Sequence, residues 1–281
     1  MAKRVSLDNE SLYLKLLLYG IAGSTKTRTA ATACFDERTA PVLWLDQGGN
    51  PVSVRTYDPP PDIVRITKLD DFNPIYAWLA MGQPKDNDVP RTLGLQTETP
   101  YKTVVVDGLT GTQRLSFGVV LGSTNMGPAS FPPGMEFKHH GQVLQQMTNF
   151  GVQFFYNLNM HVIMTALESE KQDDRVGGFR YAPLLWGQSA GELPGQALAV
   201  ARMLHIERVD NKTKMALRDI PEKVDSVAVF LPGPNYVAKD QYGGLPGIMY
   251  NPTVTKMLNC IFAVAGTSPE TNPTPTPNER N

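Results

Sequence analysis

Leu14-Lys15-Leu16-Leu17-Leu18-Tyr19-Gly20-Ile21-Ala22-Gly23-Ser24-Thr25-Lys26-Thr27 is the stretch whose reading decides the fold. Its first half is an apolar run of the kind buried inside a sheet. The run breaks at Gly20, passes through small residues, and restarts as a helical pattern from Lys26 towards Phe35. Strand, small-residue loop, Lys-Thr and helix is the plan of a phosphate-binding loop. Backbone N–H groups of Gly20, Ile21, Ala22, Gly23, Ser24 and Thr25, with the helix N-terminus, present partial positive charge to a polyphosphate. Lys26 would reach the β- and γ-phosphates of ATP, and the Thr27 hydroxyl would hold Mg²⁺. The usual pattern is G-x-x-x-x-G-K-[ST], and its second glycine is Thr25 here. A β-branched residue at positive φ in that place is strained by roughly 1–2 kcal/mol. The competing reading is a chance Gly/Ser-rich strand–helix turn.

A second anchor is Tyr101-Lys102-Thr103-Val104-Val105-Val106-Asp107. A β-branched apolar strand that ends in aspartate is a Walker B pattern. It predicts a strand beside the loop-bearing strand, with Asp107 in the Mg²⁺ shell. The plainer alternative makes Asp107 a helix N-cap, because Asp-Gly-Leu-Thr can start a helix.

Composition narrows the class. The chain has 281 residues, 41% hydrophobic and 19% charged, enough for one large α/β core. The formal net charge is −1 and the pI about 6.4, so any nucleic-acid surface must be local. Cys34 and Cys260 are too few for a disulfide framework and read as buried thiols in a reducing compartment. No run is long enough to span a bilayer and no signal core follows Met1, which predicts a cytoplasmic protein with no membrane partner.

Further strands are expected at 41–45, 63–66, 162–164, 199–206 and 227–231, with helices at 70–79, 142–158 and 252–265. A short helix is expected near Gln196. Residues 82–100, 118–141 and 169–181 read as loops, and 236–244 as a glycine-terminated turn. Lys171, Arg175, Phe179 and Arg180 in the third loop suit single-stranded DNA, with cations on phosphates and an aromatic ring on a base. Acidic Glu168, Glu170, Asp173 and Asp174 sit among them and oppose that reading. Trp44, Trp78 and Trp186 are simplest as core residues. The expected organisation is a lead-in at 1–11, one ATP-binding domain at 12–266 and a disordered tail at 267–281.

In this order the anchors resemble the RecA-like branch of P-loop NTPases. More closely, the chain looks like phage-encoded nucleotide-binding AAA-domain proteins, some of them single-strand annealing or recombination proteins. The likeness spans about residues 12–265. It rests on Tyr19-Gly20 through Thr27, on Val104-Val105-Val106-Asp107-Gly108-Leu109-Thr110 and on Val162-Ile163-Met164-Thr165-Ala166. It continues through 183–187, Glu192-Leu193-Pro194 and Ala238-Lys239-Asp240-Gln241-Tyr242-Gly243. The last run is similar to the Lys-Asn-Arg-Phe-Gly motif of RadA-type recombinases. The resemblance implies an α/β fold with a mainly parallel sheet and helices on both faces. It also implies that Lys239 reaches the γ-phosphate of a neighbouring subunit's ATP in a ring or filament. The motif's arginine is Gln241 here.

The family's water-activating glutamate falls on Gln47 in Asp46-Gln47-Gly48-Gly49. Glutamine can orient a water but cannot take its proton. Thr165 would sense the γ-phosphate, or else bond to backbone at a strand end. Glu168 would polarise a water in place of Gln47, or else be a solvated loop charge. The function implied is a phage DNA recombination, repair or single-strand annealing protein. It would bind ATP and Mg²⁺, hydrolyse ATP slowly, and assemble as a homo-oligomer on single-stranded DNA in the host cytoplasm. Two other classes stay open. One is a degenerate P-loop scaffold without ATPase activity, and the other a helicase- or packaging-type DNA motor.

Overall fold

The computed structural model describes residues 12–47, 52–95, 98–122, 136–174, 177–207 and 224–265. The lead-in, the tail and most of the second expected loop lie outside these residues. The described chain starts with β1 (Lys15–Gly20), α1 (Lys26–Ala31), β2 (Val42–Asp46), α2 (Val52–Arg55) and β3 (Asp62–Arg65). It continues with α3 (Phe72–Ala80), α4 (Asp88–Leu93), β4 (Thr103–Asp107), α5 (Leu109–Val120) and α6 (Phe137–Gly151). Then come β5 (His161–Asp173), β6 (Gly178–Pro183), α7 (Ser189–Gln196), β7 (Ala199–Glu207) and β8 (Val224–Val229). The short strands β9 (Lys239–Asp240) and β10 (Ile248–Tyr250) precede α8 (Val254–Ala265).

One sheet carries the order β10-β8-β7-β1-β5-β4-β2-β3. The stretch from β7 to β3 is parallel throughout, while β8, β10 and β9 are antiparallel additions. This is the mainly parallel α/β sheet with helices on both faces that the sequence implies. Parallel strands need both faces covered, and the side chains of β1 divide accordingly. Leu17 and Tyr19 join a core with Phe72, Trp78, Phe117, Met147 and Leu193, from α3, α5, α6 and α7. Leu16 and Leu18 join a second core with Ala30, Ala31, Met257 and Ile261, from α1 and α8. Alanines on α1 let that helix lie close to the strands, and the Val254 N–H at the head of α8 donates to Thr32 Oγ1 at 2.8 Å.

Several expectations change. β4 does not neighbour β1, because β5 is inserted between them. Residues 169–173 and 178–181 are strand rather than loop: β5 runs on past the sheet and pairs antiparallel with β6, with Lys171 paired to Arg180 and Gln172 to Phe179. Alternating polar side chains on a two-stranded arm leave no apolar signal of a strand. α6 begins at Phe137 rather than Gln142, with His139 Nδ1 accepting the Glu136 N–H, and passes into a wider turn over Val152–Asn157. Residues 82–100 hold α4, capped by Asn87. Trp44 and Trp78 are core residues, but Trp186 is 41% exposed and stacks on His140. Cys34 is buried and Cys260 only half-buried.

At the far end of the sheet from the loop, His161 is buried and its Nδ1 accepts the Leu14 N–H at 2.9 Å. Burial, with Lys15 nearby, pushes the imidazole pKa down to about 4. The native state therefore keeps His161 neutral while the unfolded chain, near 6.5, takes a proton. Stability from this group is complete above pH 6.5 and is lost as pH falls towards 4. Urea unfolding across that window is expected to show a loss on the order of 3 kcal/mol that His161→Gln removes.

Candidate nucleotide site

The C-terminal ends of the parallel strands gather the loop and the acidic residues. Gly20 ends β1, and a Cβ there would lie 2.5 Å from Met203 O and 2.6 Å from Ser24 Oγ, so only glycine lets the loop turn against β7. The loop leads to Thr25, which precedes α1 with φ +64° and so has the left-handed backbone that its place in the pattern demands. Lys26 Nζ donates to Gly20 O at 2.9 Å, Ile21 O at 2.7 Å and Ser24 Oγ at 3.2 Å. Burial lowers the Lys26 pKa, and the charges of Asp107 and Glu168 oppose that shift.

Sheet register sets Asp46, Asp107 and Thr165 abreast on β2, β4 and β5. The Thr165 hydroxyl donates to Asp107 Oδ1 at 2.5 Å and accepts the Gly108 N–H at 3.0 Å. The Thr27 hydroxyl donates to Asp107 Oδ2 at 3.2 Å. Asp107 is not an N-cap: α5 starts after Gly108, at φ +112°, with no side-chain cap. Burial raises the Asp107 pKa and the charge of Asp46 adds to the rise, while the two threonine hydroxyls act against it. Asp46 itself pairs with Arg65 at 2.8 Å. A buried carboxylate beside a second carboxylate, with a threonine hydroxyl at hand, is a donor set that suits a hard divalent cation. Among the described residues there is no cluster of three or more His, Cys, Asp or Glu to suggest another metal.

Gln47 turns to the opposite face from Asp46. Its Nε2 donates to Thr112 Oγ1 in the first turn of α5, and its Oε1 is buried without a hydrogen-bond partner among the described residues. Glu168 is no solvated charge. Its carboxylate accepts from Arg202 Nε at 2.7 Å and Nη2 at 3.1 Å, and its side chain is only 5% exposed. Arg202 lies 3.6 Å from the centre of the Tyr181 ring. This pair spans β1 from β5 to β7 and sits close enough to influence Lys26. Strand periodicity alone puts Glu168, two residues beyond Ala166, on the same face as Tyr19, but its partner on β7 is not written locally.

Lys239 bonds to none of this group in the same chain. It pairs beside Val200, level with Leu17 at the other half of β1, and donates to Gly195 O and Ala197 O, both at 2.7 Å. Lys171, Phe179 and Arg180 lie on the β5–β6 arm, where Phe179 is 51% exposed and Arg180 approaches Asp173 at 3.9 Å. Arg175 lies outside the described residues.

A sequence model of a family described as an AAA domain matches residues 12–242. The chain belongs to this AAA-domain family. It is therefore a P-loop nucleotide-binding domain. No curated protein matches it. Among solved structures it is similar to the flagellar accessory protein FlaH from Methanocaldococcus jannaschii. That match has 8% identity and a TM-score of 0.40, over 84% of this chain and 83% of that one. It is also similar to the pCW3 conjugation coupling protein TcpA in a monomer form with ATPγS. There the identity is 12% and the TM-score 0.36, over 90% of this chain and 65% of that one. Among the described residues no helix is long and apolar enough to cross a membrane.

Removing Arg202 strands a buried carboxylate. Arg202→Leu is expected to destabilise the protein by about 3 kcal/mol or more in urea unfolding. Adding Glu168→Gln should recover part of that loss, because the uncompensated charge is then gone.

Proposed function

We propose that the protein binds ATP with Mg²⁺ and hydrolyses it slowly, and that it acts on single-stranded DNA as a recombination or annealing protein. The observation that carries the nucleotide reading is the convergence of Lys26, Thr27, Asp107 and Thr165 at one end of the sheet. Gly20, Ile21, Ala22, Gly23, Ser24 and Thr25 would cradle the phosphates, and Lys26 would exchange its loop carbonyls for phosphate oxygens. Thr27 and Asp107 would hold Mg²⁺, and Thr165 would hold Asp107 in place. The metal supplies charge neutralisation for the developing phosphoryl charge.

Slow turnover follows from the two groups nearest to a general base. Gln47 has no proton-accepting carboxylate, and Glu168 is engaged by Arg202. The β5–β6 arm supports the DNA reading, because it puts Lys171, Arg180 and the exposed ring of Phe179 on one ribbon. Assembly as a homo-oligomer, with Lys239 contributed in trans, is the part that rests on resemblance. Lys239 would have to leave its own carbonyl partners to take that role.

Calorimetry with Mg-ATP should give micromolar binding that Lys26→Ala abolishes. Asp107→Asn should lose the Mg²⁺ dependence without lowering the stability of the nucleotide-free protein, since the charge removed is one that burial disfavours. No binding by the unaltered protein would overturn the nucleotide reading.

Fluorescence titration with an oligothymidylate tests the arm. Phe179→Ala should weaken binding about fivefold or more, the loss of one base–aromatic stack. Lys171→Ala and Arg180→Ala should each reduce the salt slope by about 0.7. Unchanged titrations would remove the arm from the DNA surface.

A further inference from the structure

Thr25 sits where a P-loop normally carries glycine, and its backbone is left-handed. Something must hold it there. Its hydroxyl shares a hydrogen bond with Ser226 Oγ on β8, 201 positions away in sequence. Directly across the ladder from Ser226 is His205 on β7. His205 Nε2 donates to Gly23 O at 2.9 Å. The β7–β8 ribbon thus grips the loop at two points, one on each strand. Ser226 is itself fixed from behind: the Asn251 N–H donates to Ser226 O at 2.6 Å, and Ser226 N–H donates to Asn251 Oδ1 at 3.3 Å. Asn251 has φ +45°, so one serine joins two of the three left-handed non-glycine residues among those described. Lys256 Nζ, on α8, donates to Asn251 O at 2.9 Å and ties this turn to the helix.

We propose that Ser226 and His205 are positioning residues for the phosphate-binding loop: Ser226 anchors the left-handed Thr25 and His205 holds the Gly23 carbonyl. The inference rests on the nucleotide reading of the loop. A loop whose backbone is free to relax out of the left-handed conformation would turn the N–H groups of Ser24, Thr25 and Lys26 away from a common centre. A glycine at position 25 would adopt the same conformation without help, and so would need no anchor. The chain has replaced an intrinsic property of one residue with a contact from another strand. Nucleotide affinity then becomes sensitive to whatever moves the β7–β8 ribbon.

The test is Mg-ATP calorimetry on the full chain with Ser226→Ala, Thr25→Gly, the double variant and His205→Ala. The backbone preference at stake corresponds to about a tenfold weaker affinity for Ser226→Ala. Thr25→Gly keeps the backbone N–H and adopts the left-handed conformation unaided, so in the double variant it should restore the affinity lost in Ser226→Ala. His205→Ala should also weaken binding, and Thr25→Gly should not repair it, because the lost contact is at Gly23. A merely structural role for Ser226 would leave the double variant as weak as Ser226→Ala alone, and that result overturns the proposal. So does unchanged binding by Ser226→Ala and His205→Ala. If the unaltered protein binds no Mg-ATP, the nucleotide reading has failed, and the clamp is decided separately by urea unfolding without nucleotide. Coupling between positions 25 and 226 in that double-mutant cycle upholds it, and additive losses overturn it.

Discussion

Burial of β1 on every side is the constraint on which the rest depends. It has a strand hydrogen-bonded on each edge and a helical layer on each face. None of its residues from Leu16 to Tyr19 has measurable exposure. A strand so confined cannot shift register without moving leucines from one core to the other. The loop that leaves its end therefore starts from a fixed point, aimed in a fixed direction. The acidic group of the site arrives by register as well, because β4 and β2 inherit their levels from β5 and so from β1.

The electrostatics of that end of the sheet are deliberately unbalanced. Asp46 and Asp107 stand abreast, Asp46 is paired with Arg65, and Lys26 is turned into its own loop carbonyls, so Asp107 has no cation bonded to it among the described residues. The carboxylate of Asp107 is stabilised mainly by two hydroxyls, a weaker counterpart than a full positive charge. On the proposed nucleotide reading, such a site would favour a bound cation. Glu168 shows the opposite solution one strand away, where a guanidinium stacked on a tyrosine satisfies the carboxylate directly.

Much of this was legible because the decisive signals are local. The loop pattern, the Val-Val-Val-Asp strand end and the threonine after Val162-Ile163-Met164 are each written within a few residues, and the structure brings all of them together. What escaped depends on distant pairing. The sequence does not state that β5 enters between β1 and β4, nor that Glu168 faces an arginine on β7. The ribbon contact at Thr25 joins residues from opposite ends of the chain, with no pattern in either. The arm at 169–181 was hidden for another reason: its charged side chains describe a solvated surface equally well for a loop and for a hairpin. Trp186 was misplaced because indole size predicts burial, whereas here the backbone of the residue is held by Gln113 and the ring finds an imidazole instead.

The placement of β1 also has a consequence for biosynthesis. Its pairing partners begin with Val162 and Ala199, so a strand buried along its whole length leaves the ribosome long before either exists. At ordinary elongation rates that interval is on the order of ten seconds. Throughout it, Leu16-Leu17-Leu18 has no sheet to join. The nascent chain must therefore shelter a segment that, in the finished protein, water never reaches, which makes the central strand the point where translation speed and chaperone capture bear on the yield of folded protein.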